Sequence, residues 1–118
     1  MLHNARLQNA FKLSSKVTVY VPSTIDINVE IDNTEYVNKT AKLLSECFNG
    51  ATRTDALGYW MSPTMGLVKE KAVLVYANCK ENDLQDNIDK IIDWCEEMRN
   101  ELKQDAIALE INGEMYFI

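Results

Sequence analysis

The chain has few of the residues from which metal centres and common enzyme sites are built. Among 118 residues it holds one histidine, His3, and three cysteines that lack a CxxC or zinc-ligand spacing. It has no Walker or Rossmann glycine motif, and it contains four glycines in all. We therefore predict no metal, no cofactor and no catalytic residue, and hence a protein that is not an enzyme.

Long apolar stretches are also missing. No run approaches the roughly 18 residues that a membrane-spanning helix needs, and the N-terminus has no apolar stretch of the signal-peptide type. Cys47 and Cys95 fall on predicted apolar helix faces, which favours buried, reduced thiols. These observations predict a cytoplasmic protein with no membrane partner.

Basic residues are outnumbered by acidic ones and are unevenly placed. The sequence has 12 Lys and Arg against 18 Asp and Glu, a net charge of −6. Residues 1–16 contain 3 bases and no acid, which leaves 9 bases and 18 acids, a net −9, in residues 17–118. Such a body cannot neutralise the many phosphates of a nucleic-acid polymer, although a small nucleotide needs only one or two local cations.

Two regions of the chain differ in character. Residues 1–16 are predicted to form an N-terminal arm, in which Leu2, Leu7 and Phe11 favour an oligomer contact over a frayed terminus. Residues 17–118 are predicted to form a single α+β ligand-binding domain, because a chain of this length folds as one domain.

Hydrophobic periodicity predicts the elements of this domain. Residues 17–21 alternate with a period of two and are β-branched, so they form a strand. A capping box at Asp32 and Glu35 begins a helix that Asn49-Gly50 ends. The remaining elements are a strand hairpin over 51–60 and 67–77, a second helix capped at Asn82 or Asp83, and strands over 106–111 and 114–118 around the type I′ turn Asn112-Gly113.

The order of these elements predicts the fold class. Strand, helix, two strands, helix and strand form a ferredoxin-like βαββαβ unit, and the last strand adds a C-terminal hairpin. The result is an α+β protein whose antiparallel sheet carries two helices on one face. Because so short a chain has nothing left to cover the other face, we expect a second copy to do so, in a dimer or a larger homo-oligomer.

The segment after the first helix carries most of the candidate ligand-binding residues. Asn49 and Thr52 flank the helix end, and Arg53 adds a cation. Tyr59 and Trp60 are adjacent in a strand and point to opposite faces, so that one joins the core and the other is free to stack on a base. A helix stop and core packing explain the same residues without any ligand.

Three charged residues complete the candidate site. Glu70 is either half of a cross-strand ion pair with a neighbouring lysine or an acceptor for a ligand hydroxyl, such as that of a ribose. Arg99 lies at the edge of the apolar stripe of the second helix, and Lys103 follows one turn later. These two cations either complement the helix dipole or bind a phosphate.

Five segments resemble a known family. Residues 17–24, 47–52, 58–60, 66–70 and 112–118 (VTVYVPST, CFNGAT, GYW, GLVKE and NGEMYFI) are similar to small proteins of phages, prophages and plasmids of Firmicutes, among them the anti-Thoeris sponge proteins. The resemblance covers residues 17–118. Two positions depart from the family pattern: Asn49, where members often have Gly, and Lys103, which replaces the bidentate fork of an expected Arg by a point charge.

The resemblance implies a phage protein of the host bacterial cytoplasm that evades immunity by sequestering a cyclic nucleotide, a cyclic ADP-ribose isomer, without cleaving it. It also implies an assembly as large as a hexamer, which can hold cyclic oligonucleotides at a second site. Cations would hold the pyrophosphate, an aromatic ring would stack on adenine, and polar side chains would bind ribose or base edges. The expected ligand-binding residues are Asn49, Thr52, Arg53, Tyr59, Trp60, Glu70, Arg99 and Lys103.

Two other functions stay open on the sequence alone. The acidic body could imitate nucleic acid and block a host defence nuclease by direct contact. Alternatively, the protein could be an enzyme that cleaves the cyclic nucleotide. Recovery of intact ligand after denaturing the complex separates a sponge from an enzyme.

Overall fold

Five strands form an antiparallel sheet, and two long helices cover one of its faces. The computed structural model describes residues 2–118, in which α1 spans Ala5–Gln8, α2 Thr34–Phe48 and α3 Glu81–Glu101. The strands are β1 Ser15–Pro22, β2 Thr24–Ile25, β3 Val29–Glu30, β4 Thr52–Ser62, β5 Gly66–Cys79, β6 Ala108–Ile111 and β7 Glu114–Phe117. The β2–β3 hairpin was not predicted, and α3 begins before the predicted cap.

The strand order confirms the predicted fold class. The order in the sheet is β4-β5-β1-β6-β7, and every neighbouring pair is antiparallel. The first four strands of that order form the ferredoxin-like unit, and β7 extends it at one edge. Asn112 and Gly113 have φ angles of 52° and 84°, as a type I′ turn between β6 and β7 requires.

The core lies between the sheet and the two long helices. Alternate residues of β1, namely Val17, Val19 and Val21, are fully buried and face the same side as Val75 of β5. The helices contribute the buried side chains Val37, Leu44, Leu84, Ile91, Trp94, Cys95 and Met98. Burial raises the pKa of the Cys95 thiol to about 12, so this cysteine stays protonated and unreactive.

One buried hydrogen bond joins α2 to α3. Trp94 Nε1 donates to Thr40 Oγ1 at 2.8 Å, and the Thr40 hydroxyl donates to the Tyr36 carbonyl at 2.7 Å. The Tyr36 ring stacks on Trp94 with centroids 6.3 Å apart. Thr40 therefore satisfies the single polar group of the largest side chain between the helices.

The first long helix begins one residue later than predicted. α2 starts at Thr34 with Asn33 as its N-cap, and Asp32 accepts hydrogen bonds from the Thr34 hydroxyl and N–H, which lower the pKa of Asp32. Glu35 forms an ion pair with Lys39 at 2.9 Å and does not close a capping box. The carboxylate that would cap the helix instead organises the turn before it.

Both long helices end at a left-handed residue. Asn49 after α2 has φ of 70°, and Lys103 after α3 has φ of 52°. The Gln104 N–H donates to the Arg99 carbonyl at 2.9 Å, which is the long-range bond of a Schellman motif. The predicted end at Asn49-Gly50 is confirmed, with asparagine rather than glycine in the left-handed position.

The β4–β5 hairpin projects beyond the rest of the sheet as a two-stranded ribbon. β1 pairs with β5 as far as Pro22 opposite Ala72, after which β4 and β5 continue alone to the turn where Ser62 pairs with Gly66. The molecule measures 54 Å along its longest axis. A ribbon without further strands is marginally stable in water and depends on additional contacts. Its exposed apolar side chains are Leu57, Tyr59, Trp60, Met61, Met65 and Leu67.

The bond between the helices gives a stability prediction. In Thr40→Val the Trp94 N–H keeps its buried position but loses its acceptor, so we expect a loss of about 1–3 kcal/mol in the free energy of unfolding. Urea denaturation followed by fluorescence measures it. The control, Thr54→Val, changes an exposed strand residue and should stay within about 0.5 kcal/mol of the wild type. Equal losses in both variants would contradict the role of this bond.

Candidate functional site

A groove crosses the open face of the sheet where the ribbon leaves it. It consists of two adjoining cavities, an inner compartment of about 250 Å³ next to the core and an outer compartment of about 270 Å³ along the ribbon. Ser23, Thr24, Glu70 and Lys71 line both. Each compartment alone is smaller than the roughly 300–1,000 Å³ of a small-molecule site, so a ligand of ordinary size would occupy both. We call the two together the Glu70 groove.

Strand register places the groove residues on one face. Gly58 lies opposite Glu70, and Trp60 lies opposite Val68, and directly paired residues of antiparallel strands share a face. Because Gly58 has no side chain, the Glu70 carboxylate has open space beside it. Trp60 and Val68 form the ribbon side of the outer compartment, and Ile27 forms part of its other wall.

The inner compartment combines apolar and polar walls. Tyr20 of β1, Gln104 and Ile107 line it. Tyr20 Oη donates to Glu110 Oε1 at 3.1 Å, and burial, followed by this hydrogen bond and the Glu110 charge, raises the pKa of Tyr20. The tyrosine therefore stays protonated, with its oxygen available as an acceptor.

The Glu70 carboxylate has no charged partner within residues 2–118. The ion pairs there join Lys39 to Glu35 and Arg53 to Asp55, so the cross-strand ion pair considered for Glu70 does not form. The same part of the chain contains no cluster of three or more His, Cys, Asp or Glu side chains placed to hold a metal ion. It also has no helix long and apolar enough to cross a bilayer.

Side-chain hydrogen bonds hold the β2–β3 hairpin as a wall of the groove. Gln104 Nε2 donates to the Thr24 carbonyl at 3.0 Å and to the Leu102 carbonyl at 3.1 Å, and the Asp26 N–H donates to that Leu102 carbonyl at 2.8 Å. On the other side, Ser23 Oγ donates to the Lys71 carbonyl at 2.6 Å. The hairpin is thus tied both to the end of α3 and to β5.

Two of the eight predicted ligand-binding residues, Trp60 and Glu70, meet in this groove. Tyr59 points away from it, as expected for the neighbour of Trp60 in a strand, and Lys69 Nζ lies 6.0 Å from the Tyr59 ring centroid. Neither aromatic residue joins the core: Tyr59 is 56% exposed and Trp60 is 42% exposed. The expectation that one of them packs inside is wrong, because the ribbon extends past the helices.

The other five predicted residues lie elsewhere. Asn49 and Thr52 line a separate cavity of about 370 Å³ at the end of α2, and Arg53 pairs with Asp55. Arg99 donates to the Asn100 side chain at 3.3 Å. Lys103, which was predicted to act with Arg99, is the exposed left-handed residue after α3. These residues do not converge on one pyrophosphate site. The roles of these five residues in ligand binding stay predictions: Asn49, Thr52, Arg53, Arg99 and Lys103.

Sequence reasoning missed the inner half of the groove. Tyr20 was placed in a strand without a role, and Gln104 was not considered. The hairpin turn has φ of 51° at Asp26 and 52° at Ile27, a left-handed pair that isoleucine rarely adopts. A weak signal was present at Ser23-Thr24, where two hydroxyl residues follow the end of β1.

Comparison with known proteins finds solved structures of the same fold. No model of a protein family matches the sequence, and no curated protein matches it. The chain is similar to a phage SAM lyase in complex with S-methyl-5′-thioadenosine, at a TM-score of 0.64 and 17% identity over 93% of both chains. It is also similar to a phage SAM lyase in the apo state, at a TM-score of 0.64 and 17% identity over 90% of this chain and 89% of that chain.

These matches correct the functional predictions. The proteins that share this fold are lyases, so the sponge for cyclic ADP-ribose, the nucleic-acid mimic and the absence of enzymatic activity are overturned. Both are phage proteins, which agrees with the phage part of the resemblance, whereas a sponge family and a Firmicutes origin find no support. The small adenosine-containing ligand of the first match agrees with the predicted class of small-molecule partner.

The hydrogen bonds of Gln104 lead to a prediction about the local stability of the β2–β3 hairpin. In Gln104→Ala the β2–β3 hairpin loses its bonds to the end of the helix, so the Asp26 and Ile31 amides should exchange with solvent at least about fivefold faster. Hydrogen exchange followed by NMR measures this. The control is Gln85→Ala on the exposed side of α3, which should leave both rates unchanged. Unchanged rates in Gln104→Ala would show that the side chain does not hold the wall.

Proposed function

We propose that this protein is a lyase that cleaves S-adenosylmethionine (SAM) and releases S-methyl-5′-thioadenosine. The observation that carries the proposal is the match over nine-tenths of both chains to a phage SAM lyase bound to that molecule. The Glu70 groove supports it, because its two compartments of about 250 Å³ and 270 Å³ together reach the size of an ordinary small-molecule site.

The ligand of the related lyase identifies the bond that breaks. SAM is a sulfonium whose sulfur carries a methyl group, the ribose carbon C5′ and the γ-carbon of an aminobutyrate. S-methyl-5′-thioadenosine keeps the first two, so the bond between sulfur and the γ-carbon must break, with its electron pair passing to sulfur. A lyase uses neither water nor an oxidant. The γ-carbon therefore bonds to the substrate's own carboxylate, closing a lactone, or the β-carbon loses a proton, leaving an alkene.

Lactone formation asks little of the protein. The nucleophile is the substrate carboxylate and the leaving group is a neutral thioether, so neither a general acid nor a general base takes part. The protein must fold the flexible chain into a reactive conformation and keep water from solvating the carboxylate. The apolar walls of the inner compartment suit both tasks.

The charges of the groove suit this substrate. SAM carries a sulfonium, an ammonium and a carboxylate, a net positive charge, and the protein has a net charge of −6. Glu70, which has no ion-pair partner within residues 2–118, lies where the two compartments join. We assign it the ribose hydroxyls, which a carboxylate binds through charge-assisted hydrogen bonds. By consuming a methyl donor in the host bacterial cytoplasm, such an enzyme would act for a phage against methylation-dependent defence.

The activity is tested directly. SAM incubated with the protein should yield S-methyl-5′-thioadenosine in equal amount to the SAM lost, and NMR of the four-carbon product distinguishes lactone from alkene. Glu70→Gln keeps the shape but loses the charge, so kcat/KM should fall about tenfold to 100-fold. The control, Glu46→Gln, alters an exposed α2 carboxylate and should retain full activity. Unconsumed SAM in the presence of folded wild-type protein would refute the proposal.

We also propose that the protein is a homo-oligomer joined through the ribbon. On the ribbon face opposite the groove, Leu57, Tyr59, Met61 and Leu67 are all about half exposed or more. An apolar strip of this kind on a marginally stable ribbon gains from a partner surface, and the same strip of a second copy would bury it, with Lys69 and Lys71 left at its edge. The partner would leave the Glu70 groove on the other face free.

Oligomer formation is tested by light scattering after size exclusion. The wild type should elute at a multiple of the 13.5 kDa chain mass, and Met61→Lys, which puts a charge into the strip beside Lys69 and Lys71, should shift it to the monomer. Met115→Lys on β7, where the methionine is 41% exposed, is the matched control and should keep the wild-type mass. A wild type that is monomeric at micromolar concentration would contradict the interface.

A further inference from the structure

We infer that the Glu70 groove is divided, with the adenine of the substrate stacked on Trp60 in the outer compartment and its amino acid end beside Tyr20 in the inner one. This inference rests on the proposed lyase function and specifies which end of the substrate each compartment takes.

The outer compartment suits a flat, uncharged ring. The Trp60 ring and Val68 line its ribbon side, Ile27 lines the hairpin side, and the tryptophan is 42% exposed, so a face remains uncovered. A purine stacks on such a surface without regard to its edge groups. Tyr59 cannot serve here, because the strand turns it to the opposite face.

The inner compartment suits a charged amino acid end. The Tyr20 hydroxyl donates a hydrogen bond to Glu110, which increases the electron density on the tyrosine oxygen and makes it a stronger acceptor for an ammonium group. The Glu110 carboxylate behind it adds a negative charge.

The position of Glu70 agrees with this orientation. The ribose of SAM lies between the adenine and the sulfonium, and Glu70 lies between Trp60 and Tyr20, at the junction that both compartments share. With adenine in the outer compartment, the sulfonium and its γ-carbon lie in the inner compartment, whose lining includes the apolar residues Pro22, Ala72 and Ile107. The reverse orientation would put the charged end beside Trp60 and Glu30 and would leave the Tyr20 hydroxyl facing the adenine.

Two stable ligands separate the compartments by calorimetry. S-methyl-5′-thioadenosine has the adenine but no amino acid end, whereas S-adenosylhomocysteine has both and, lacking a sulfonium, is not a substrate for this cleavage. Trp60→Ala should weaken both ligands by at least about fivefold, since base stacking is lost, and Trp60→Phe should restore most of the affinity. Tyr20→Phe should weaken S-adenosylhomocysteine about tenfold and leave S-methyl-5′-thioadenosine within about twofold.

Matched controls remove each feature outside the groove. Phe11→Ala deletes an exposed aromatic ring of the arm, and Tyr116→Phe deletes a hydroxyl that donates to Glu114 at 3.1 Å, the same distance as in the Tyr20 pair. Both controls should bind both ligands as the wild type does. Weakening of both ligands by Tyr20→Phe, or of neither by Trp60→Ala, would overturn the orientation while SAM cleavage stands. A wild type that binds neither ligand and consumes no SAM would instead refute the lyase function itself.

Discussion

The register of β5 against β1 decides what each face of the sheet presents. Val19 lies opposite Val75, so the odd-numbered residues of β5 face the helices and the even-numbered ones face away. Along the same strand, five residues before Val75, this alternation turns Glu70 to the open face. A slip of one residue would bring Leu74 and Tyr76 into the core and remove the carboxylate from the groove. The buried valines therefore fix the position of the groove carboxylate, five residues away along the strand.

Most of the fold follows from local patterns in the sequence. The β1 valines alternate over a whole strand, and the dipeptide Asn112-Gly113 strongly favours a type I′ hairpin turn. The β2–β3 hairpin does not follow, because its turn puts Asp26 and Ile27 in left-handed conformations that local propensity disfavours. Its conformation depends on long-range bonds from Gln104 and Ser23, which are invisible in a window of neighbouring residues.

Only part of the candidate site could be predicted for the same reason. Trp60 and Glu70 lie ten residues apart on one hairpin, so their proximity follows from strand pairing. Tyr20 lines the inner compartment with Glu70 only because β1 pairs with β5, and this topology cannot be read from the spacing of residues in the sequence. Arg99 was placed on a helix edge correctly, yet helix periodicity does not say which surface that edge reaches.

The wrong functional prediction came from treating missing catalytic motifs as missing catalysis. His3 is the chain's one histidine, and no acid–base pair can be recognised in the sequence. The lack of a recognisable acid–base pair says nothing against a reaction whose nucleophile and leaving group belong to one substrate. For such a reaction the protein supplies conformation and exclusion of water, and these come from ordinary apolar walls. The charge of the groove bears on the choice between ligands: Glu70, which has no ion-pair partner within residues 2–118, would repel a pyrophosphate and attract a sulfonium, so it fits the proposed substrate better than a cyclic ADP-ribose.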